Sequence, residues 1–330
     1  MKGSAGKPMQ NPDKSLLRVD RPRHNGRRSA SAATLKLVGR RGDDRSSEAL
    51  YEHYRIEREL ADRLRDASRA ERQSLYGQVY DELFQRVPAH PMLRAKESGS
   101  ALLKRQHDVG HQISFLRRFI RRQTVFAEVG AGDCALAFRM ADFSRQVYAI
   151  DVSEQIVTDV RLPGNFKLIL SGGCNIPLPD GSIDVAFSDQ LMEHLHPDDA
   201  QEQLQNIYRS LAPNGIYVCV TPNRLYGPRD ISGYFEDVAS GFHLREYSAR
   251  ELRQLMLAVG FRKVRFYAGA RGWYVRCPFA LIALVEAALE RLPIRLRRRV
   301  ADIAPMRALL GLRVAAIKPA GSPEPESAPA

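Results

Sequence analysis

Residues 125–135 read VFAEVGAGDCA. An apolar run carrying one acid, Glu128, enters Gly130 and Gly132 with a single residue between them. That pattern predicts a buried strand, a tight turn and the start of a helix. A glycine has no Cβ, so its backbone can turn sharply and lie against a bound molecule. The helix behind the turn is expected to offer free N–H groups and a positive dipole end to an anionic ligand group. With Ala135 the spacing becomes G-x-G-x-x-G/A, the fingerprint of dinucleotide-binding turns. A strand–turn–helix that binds nothing would read the same.

The chain beyond the turn narrows the choice. Residues 146–151, QVYAID, form a second expected strand ending on Asp151, nineteen residues past Gly132. A carboxylate there can accept hydrogen bonds from the ribose hydroxyls of a nucleoside cofactor. It can equally cap a helix starting near Ser153. A third strand is expected over 166–170. Residues 171–199 then read SGGCNIPLPDGSIDVAFSDQLMEHLHPDD, with a fourth strand over 183–187.

Glu128, Gly130 and Gly132, as E-x-G-x-G, resemble motif I of the class I S-adenosylmethionine-dependent methyltransferases. The segment 171–199 is similar to the same family in Ile176, Pro177 and Leu178, in Asp180, Gly181 and Ser182, in Asp184 leading a strand, and in Glu193, His194 and Leu195. Two positions depart from it. Many members carry a third glycine where this chain has Cys134, and the family's acid after the third strand, which contacts the adenine amino group, falls on Gly172.

The resemblance implies an α/β fold: a doubly wound, Rossmann-like, seven-stranded sheet over 122–318, its last strand antiparallel. It implies S-adenosylmethionine as cofactor, with Glu128, Gly130 and Gly132 at its aminocarboxypropyl part and Asp151 with Val152 at its ribose. Asp189 and Gln190 would lie near its methionine portion. With Gly172 in place of the acid, adenine contacts are expected from the backbone of Gly173 and Cys174 or from Asn175. Methyl transfer needs an aligned nucleophile, exclusion of water and, where the acceptor proton must leave, a base. His194, past the fourth strand, and His243, in a long loop, are the candidate bases, with loop-holding as the other role for His194. A related branch holds a divalent metal through E-x-x-E-H. Here Gln190 replaces the first acid, so no metal is expected.

Other segments frame this centre. Residues 46–87 carry Leu50, Tyr54, Leu60, Leu64, Leu75, Val79 and Leu83 at mostly helical spacing, and Ser68 with Glu71 reads as the capping box of a second helix. Pro88 and Pro91 end it. A third helix over 99–121, with His107 and His111 one turn apart, completes a helical extension, 46–121. It is similar to the segment that many small-molecule methyltransferases fold over their active site, and packing against the sheet is its plainer role. A helix is expected over 200–212, a fifth strand over 216–221 and an irregular loop over 223–247 that holds Tyr226, Tyr234, Phe235, Phe242 and His243. A helix over 249–258, capped by Ser248 and ended at Gly260, precedes strands over 262–267 and 311–318.

That makes 268–310 an insertion before the last strand. It holds an apolar run from Pro278 to Leu289, then five arginines within 291–299. The run is too short to cross a bilayer core of about 30 Å. The segment 278–299 is expected either to lie on an anionic membrane or to cover the substrate pocket.

Charge is unevenly placed along the 330 residues, whose net charge is +12. Residues 1–45 hold twelve basic and four acidic side chains, and residues 271–313 hold nine and three. The body between them is close to neutral, so a basic groove for nucleic acid is not indicated. Residues 1–45 and 319–330 have the composition of disordered tails. Cys134, Cys174, Cys219 and Cys277 form no C-x-x-C pair, which suits a reducing cytoplasm. No apolar segment of a secretory leader follows the N-terminal charges. The expected activity is methyl transfer to a small, hydrophobic or lipid- or glycan-linked acceptor. An NAD(P)-dependent oxidoreductase and a non-catalytic, membrane-associated scaffold of the same fold are the alternatives.

Overall fold

The computed structural model describes residues 45–91, 93, 99–152 and 162–321. The chain divides into Met1–Thr34 and Leu35–Ala330, and every described residue belongs to the second unit. The expected N-terminal tail up to residue 44, the helix from Ser153 and the tail beyond residue 321 lie outside the described residues.

A central strand buried on both faces reads as a continuous apolar run, because helices cover a parallel sheet from each side. β1 (Val125–Val129) is such a strand, buried at all five positions. It lies between β2 (Gln146–Asp151) and β4 (Ile183–Asp189) and pairs with both in parallel. β3 (Phe166–Leu170) extends the sheet beyond β2, and β5 (Leu211–Thr221) extends it beyond β4. The other half holds β8 (Leu312–Ile317), β6 (Lys263–Ala270) and β7 (Trp273–Cys277), giving the order β3-β2-β1-β4-β5-β8-β6-β7. β8 runs antiparallel to both β5 and β6, as expected of the last strand.

The sheet therefore has eight strands among the described residues, not seven. The added strand, β7, opens the insertion and pairs with β6 as a hairpin across Arg271 and Gly272. Alternation did not reveal it, because an edge strand with both faces partly open has no buried side to pattern. Two boundaries also differ. The third helix ends at Leu116, and β5 begins at Leu211, five residues before the expected start.

Two clusters of side chains pack on opposite faces of the sheet. Phe126, Val185 and Phe187 face α3 (Gly99–Leu116) and α4 (Ala135–Met140). Ala127, Val129 and Ala186 face α1 (Ser47–Asp66), α2 (Arg69–Arg86), α5 (Pro197–Ser210) and α6 (Ala249–Val259). Three short helices, α7 (Phe279–Glu290), α8 (Ile294–Ala301) and α9 (Ala304–Leu310), fill the rest of the insertion. The expected capping box forms at Ser68 with Glu71, and the expected cap Ser248 forms a second box with Glu251.

The α1–α2 pair is tied to the domain by a buried polar cluster. Arg72 forks onto Asp199 of α5 through two bonds of 2.6 and 2.7 Å, and Tyr76 Oη donates to the same carboxylate at 2.6 Å. Removing one partner of a buried pair strands the other charge, whereas replacing both with apolar groups can be nearly neutral. Asp199→Ala is therefore expected to lower the unfolding free energy by about 3–5 kcal/mol. The double replacement Arg72→Met with Asp199→Leu should cost clearly less. Urea denaturation compares them. Equal losses would mean that the pair does not organise this contact.

Candidate functional site

The end of β1 and the end of β2 meet at the glycine loop. Gly130 N and Ala131 N both donate to the Ile150 carbonyl, at 2.8 and 3.3 Å. Gly132 N donates to Asp151 Oδ2 at 2.8 Å, and Val152 N donates to Asp151 Oδ1 at 2.8 Å. Asp151 thus holds the loop from across the strand pair. Gly130, Gly132 and Cys134 have φ of 73°, 53° and 55°. The left-handed backbone at Cys134 gives a physical reason for a glycine to be common at that position in the resembling family.

The glycines serve different purposes. A Cβ at Gly130 would sit 2.9 Å from Leu191 Cδ1, so its absence lets the segment after β4 close onto the loop. A Cβ at Gly132 would meet nothing within 4 Å. That open side is available to a ligand. The helix behind the loop, α4, has six residues and no side-chain cap at Cys134, so the expected dipole end is a short one.

Glu128 lies beneath this loop. It is buried, and its Oε2 has no hydrogen-bond partner among the described residues. Burial holds its carboxyl well above the usual carboxylate range, with the Arg105 charge opposing and Asp133 and Asp189 adding to the rise. A buried polar atom without a partner calls for one. An amino or hydroxyl donor of a bound nucleoside cofactor fits that need, and the open side of Gly132 fits its backbone approach.

The remaining expected cofactor residues divide in two. Asp189 ends β4 and accepts from Gln112 Nε2 of α3 at 2.6 Å, and burial raises its pKa despite that bond. Gln190 follows at φ 53°, with its N–H on the Val220 carbonyl at 2.8 Å. Both stand at the same end of the sheet as the glycine loop. By contrast, the Gly173 and Cys174 carbonyls are already taken by Gln203 and Asn206 of α5, at 2.6 and 3.1 Å. The Asn175 carbonyl accepts from Ser171 Oγ. Asn175 keeps an exposed side chain beside this turn. His107 is exposed and meets His111 edge-on at 4.2 Å between ring centroids.

His194 and His243 come together, their rings 4.9 Å apart and nearly perpendicular. Their environments differ. His194 Nδ1 lies 3.1 Å from the Phe242 carbonyl and 3.0 Å from Tyr80 Oη. A carbonyl can only accept, so Nδ1 carries the proton and Nε2 the lone pair. Burial, aided by the His243 charge, pushes the His194 pKa down to about 3. His243 Nδ1 instead donates to Glu246 Oε1 at 2.7 Å. Burial alone would lower its pKa, but the Glu246 bond and the charges of Asp230, Glu246 and Glu193 outweigh it and leave His243 above the ordinary histidine value. Glu193 completes the group. Burial lifts its pKa to about 7, Thr221 Oγ1 donates to Oε2 at 2.8 Å, and Oε1 has no partner among the described residues. One donor atom each from Glu193, His194 and His243 lies within 4.8 Å of the others, one of four such groups among the described residues that could share a cation.

Other members of the site had no local signal. Tyr80 lies on α2, its ring 4.7 Å from Phe242. Glu57 of α1 accepts from Phe242 N at 2.9 Å, across 185 residues of chain. Asp230 gathers the N–H groups of Ser232, Gly241 and His243 at 3.0–3.3 Å. Only Glu246 was within reach of sequence reasoning, three residues past His243.

Residues 127–219 match the methyltransferase domain family. Three relatives, each described as a probable S-adenosylmethionine-dependent methyltransferase, are 33% identical to this chain over their matched parts. The one from Mycolicibacterium smegmatis (strain ATCC 700084 / mc(2)155) aligns over 158 residues, 48% of this chain and 58% of its own. Two from Mycobacterium tuberculosis, strains CDC 1551 and H37Rv, align over 135 residues, 41% of this chain and 47% of theirs. The chain thus spans about half the length of the curated relatives it matches. The matched region contains the glycine loop, Asp151 and the Glu193–His194 pair, on the strand order described above. Residues 127–219 of this chain are thus similar to the methyltransferase domain family and to S-adenosylmethionine-dependent relatives, on an α/β sheet of the order given above.

Proposed function

We propose that this chain transfers the methyl group of S-adenosylmethionine to a nucleophilic O, N or C atom of a small, hydrophobic or lipid- or glycan-linked acceptor. One observation supports the reading: the missing Cβ of Gly130 leaves room for Leu191, two residues before Glu193 and three before His194, against the loop that Asp151 clamps. The cofactor cradle and the acid–base group are thereby one site.

When bound, S-adenosylmethionine supplies an activated methyl on a sulfonium leaving group. Glu128, Gly130, Gly132, Asp151, Val152, Asp189 and Gln190 would hold it, with the turn Gly173, Cys174 and Asn175 alongside. The protein's own part is to orient the acceptor, exclude water and move a proton. His243 is the base. Glu246 holds its Nδ1–H, leaving Nε2 to take the acceptor proton. His194, neutral and fixed by Phe242 and Tyr80, presents Nε2 as a hydrogen-bond acceptor that positions the nucleophile. Tyr80, Phe242 and Leu191 form an apolar wall, which favours a hydrophobic acceptor.

Methyl-labelled S-adenosylmethionine, the purified protein and a cell extract split into lipid and aqueous fractions test the reading. Label is expected in the lipid fraction and is expected to vanish with Asp151→Ala. Aqueous label, again lost in the variant, would replace the lipid-linked acceptor with a soluble one, and no label would overturn the proposal. Calorimetry with S-adenosylhomocysteine should find Asp151→Ala weaker by about tenfold or more, since a charged hydrogen-bond acceptor is lost. Tighter binding of a reduced nicotinamide cofactor would favour the oxidoreductase.

The base has its own signature. His243 must lose its proton to act, so kcat/KM is expected to rise with pH through a midpoint above the ordinary histidine value and then level off. Glu246→Gln removes the main raising influence, and the midpoint should move to lower pH. His243→Ala should lower the plateau by about a hundredfold. An unmoved midpoint in Glu246→Gln would remove His243 from this role.

A further inference from the structure

α7 is built inside out. Its sequence, FALIALVEAALE, carries two ionisable residues, Glu286 and Glu290. Glu286 points inward: it is buried, and its Oε1 accepts from Asn223 Nδ2 and from the Ala249 backbone N–H, each at 2.7 Å. Glu290, at the last position, pairs with Arg224 at 2.6 Å. Ala280, Leu281, Leu284 and Ala288 are left on the outer side, all exposed and spaced as one helical stripe. Leu284 is 67% exposed. A helix that faces only water shows the opposite polarity.

The stripe has neighbours. On β7, Trp273 is 84% exposed and Val275 68%. Alternation places both on the strand face of Cys277. Cys277 pairs with Phe266, whose ring lies 5.5 Å from Phe279 of α7. The exposed side chains of β7 and α7 therefore belong to one side of the sheet. Arg271, Arg291, Arg295 and Arg299 are exposed in the adjoining turn and helices, and none has an ion-pair partner among the described residues.

This face also borders the site. β6 runs parallel to β5, since both are antiparallel to β8. The β6–β7 turn, with Trp273 behind it, therefore lies at the end of the sheet where Asp189 and Thr221 emerge. α3 links the two places: Gln112 donates to Asp189, and Ser114 Oγ donates to the Gly272 carbonyl at 2.8 Å.

We propose that this face docks onto the surface of an anionic lipid bilayer, with α7 lying in the interface and Trp273 at the headgroup level. A bilayer supplies both things the face lacks: apolar depth for Leu281, Leu284 and Val275, and negative charge for the arginines. A second copy of the chain fits less well, because a two-fold contact would set the same arginines against one another. Among the described residues no helix is long and apolar enough to cross a membrane, so the contact is peripheral.

The chain's single tryptophan sits in this face, so its fluorescence reports on the contact directly. Full-length protein is mixed with phosphatidylcholine vesicles, with and without phosphatidylglycerol. A blue shift of Trp273 and protection from an aqueous quencher are expected with the anionic vesicles alone. Leu281→Asp with Leu284→Asp should abolish the shift, and Arg291→Glu with Arg295→Glu should weaken binding by roughly tenfold or more. All four positions are exposed, and circular dichroism confirms that the variants stay folded. No shift, or co-sedimentation that survives the leucine substitutions, would overturn the proposal and assign any binding to the basic residues 1–45. A shift that grows with protein concentration without lipid would overturn it in favour of self-association.

Discussion

Three consecutive N–H groups, those of Gly130, Ala131 and Gly132, end on the last two residues of β2, at the Ile150 carbonyl and the Asp151 carboxylate. Backbone polar groups at the end of a buried strand must find partners, and these bonds supply them where the ladder stops. The clamp fixes the loop in a left-handed path. That path in turn places Gly130 under Leu191, so the segment after β4 can close upon it. The left-handed backbone at Cys134 opposes this arrangement by about 1 kcal/mol. Its complete burial against Leu136, Ala137 and Met140 offsets the strain.

The loop after β5 solves a related problem without regular structure. It carries His243 and Phe242 to the site, and carboxylates satisfy its backbone in place of a ladder. Asp230 gathers three N–H groups from within the loop, and Glu57 reaches in from α1 to hold a fourth. Gly227 has no Cβ because the Glu246 carboxylate occupies that space. The helical extension is therefore a structural member of the site and not merely a cover. Its attachment through Arg72, Tyr76 and Asp199 supports the position of Glu57 and Tyr80.

Two histidines with ring centroids 4.9 Å apart have their pKa values driven in opposite directions. Burial without a carboxylate keeps His194 neutral, while Glu246 and its acidic neighbours keep His243 readily protonated. Environments that drive neighbouring titratable groups apart assign their chemical roles. Glu193, whose pKa rises to about 7, links the pair to the floor of the site. The same reversal of the usual pattern recurs in the insertion, where Glu286 is turned inward to bind Asn223 and Ala249 and the leucines are turned out.

What the sequence by itself determined was local. The apolar runs of β1 to β4, the turn at Gly130 and Gly132, the capping boxes at Ser68 and Ser248 and the end of α6 at Gly260 all rest on short-range sterics and hydrogen-bond needs, satisfied within a few residues. The resemblance carried by Glu128, Gly130, Gly132 and Glu193–His194 added the domain family. The tertiary structure decided what depends on groups distant in the chain. It made Asp151 a loop clamp, took the Gly173 and Cys174 carbonyls for α5, placed β7 at the sheet edge and brought Glu57, Tyr80 and Asp230 to the histidines. It also drove the His194 and His243 pKa values apart, because a pKa follows burial and neighbouring charge, and neither exists until the chain has folded.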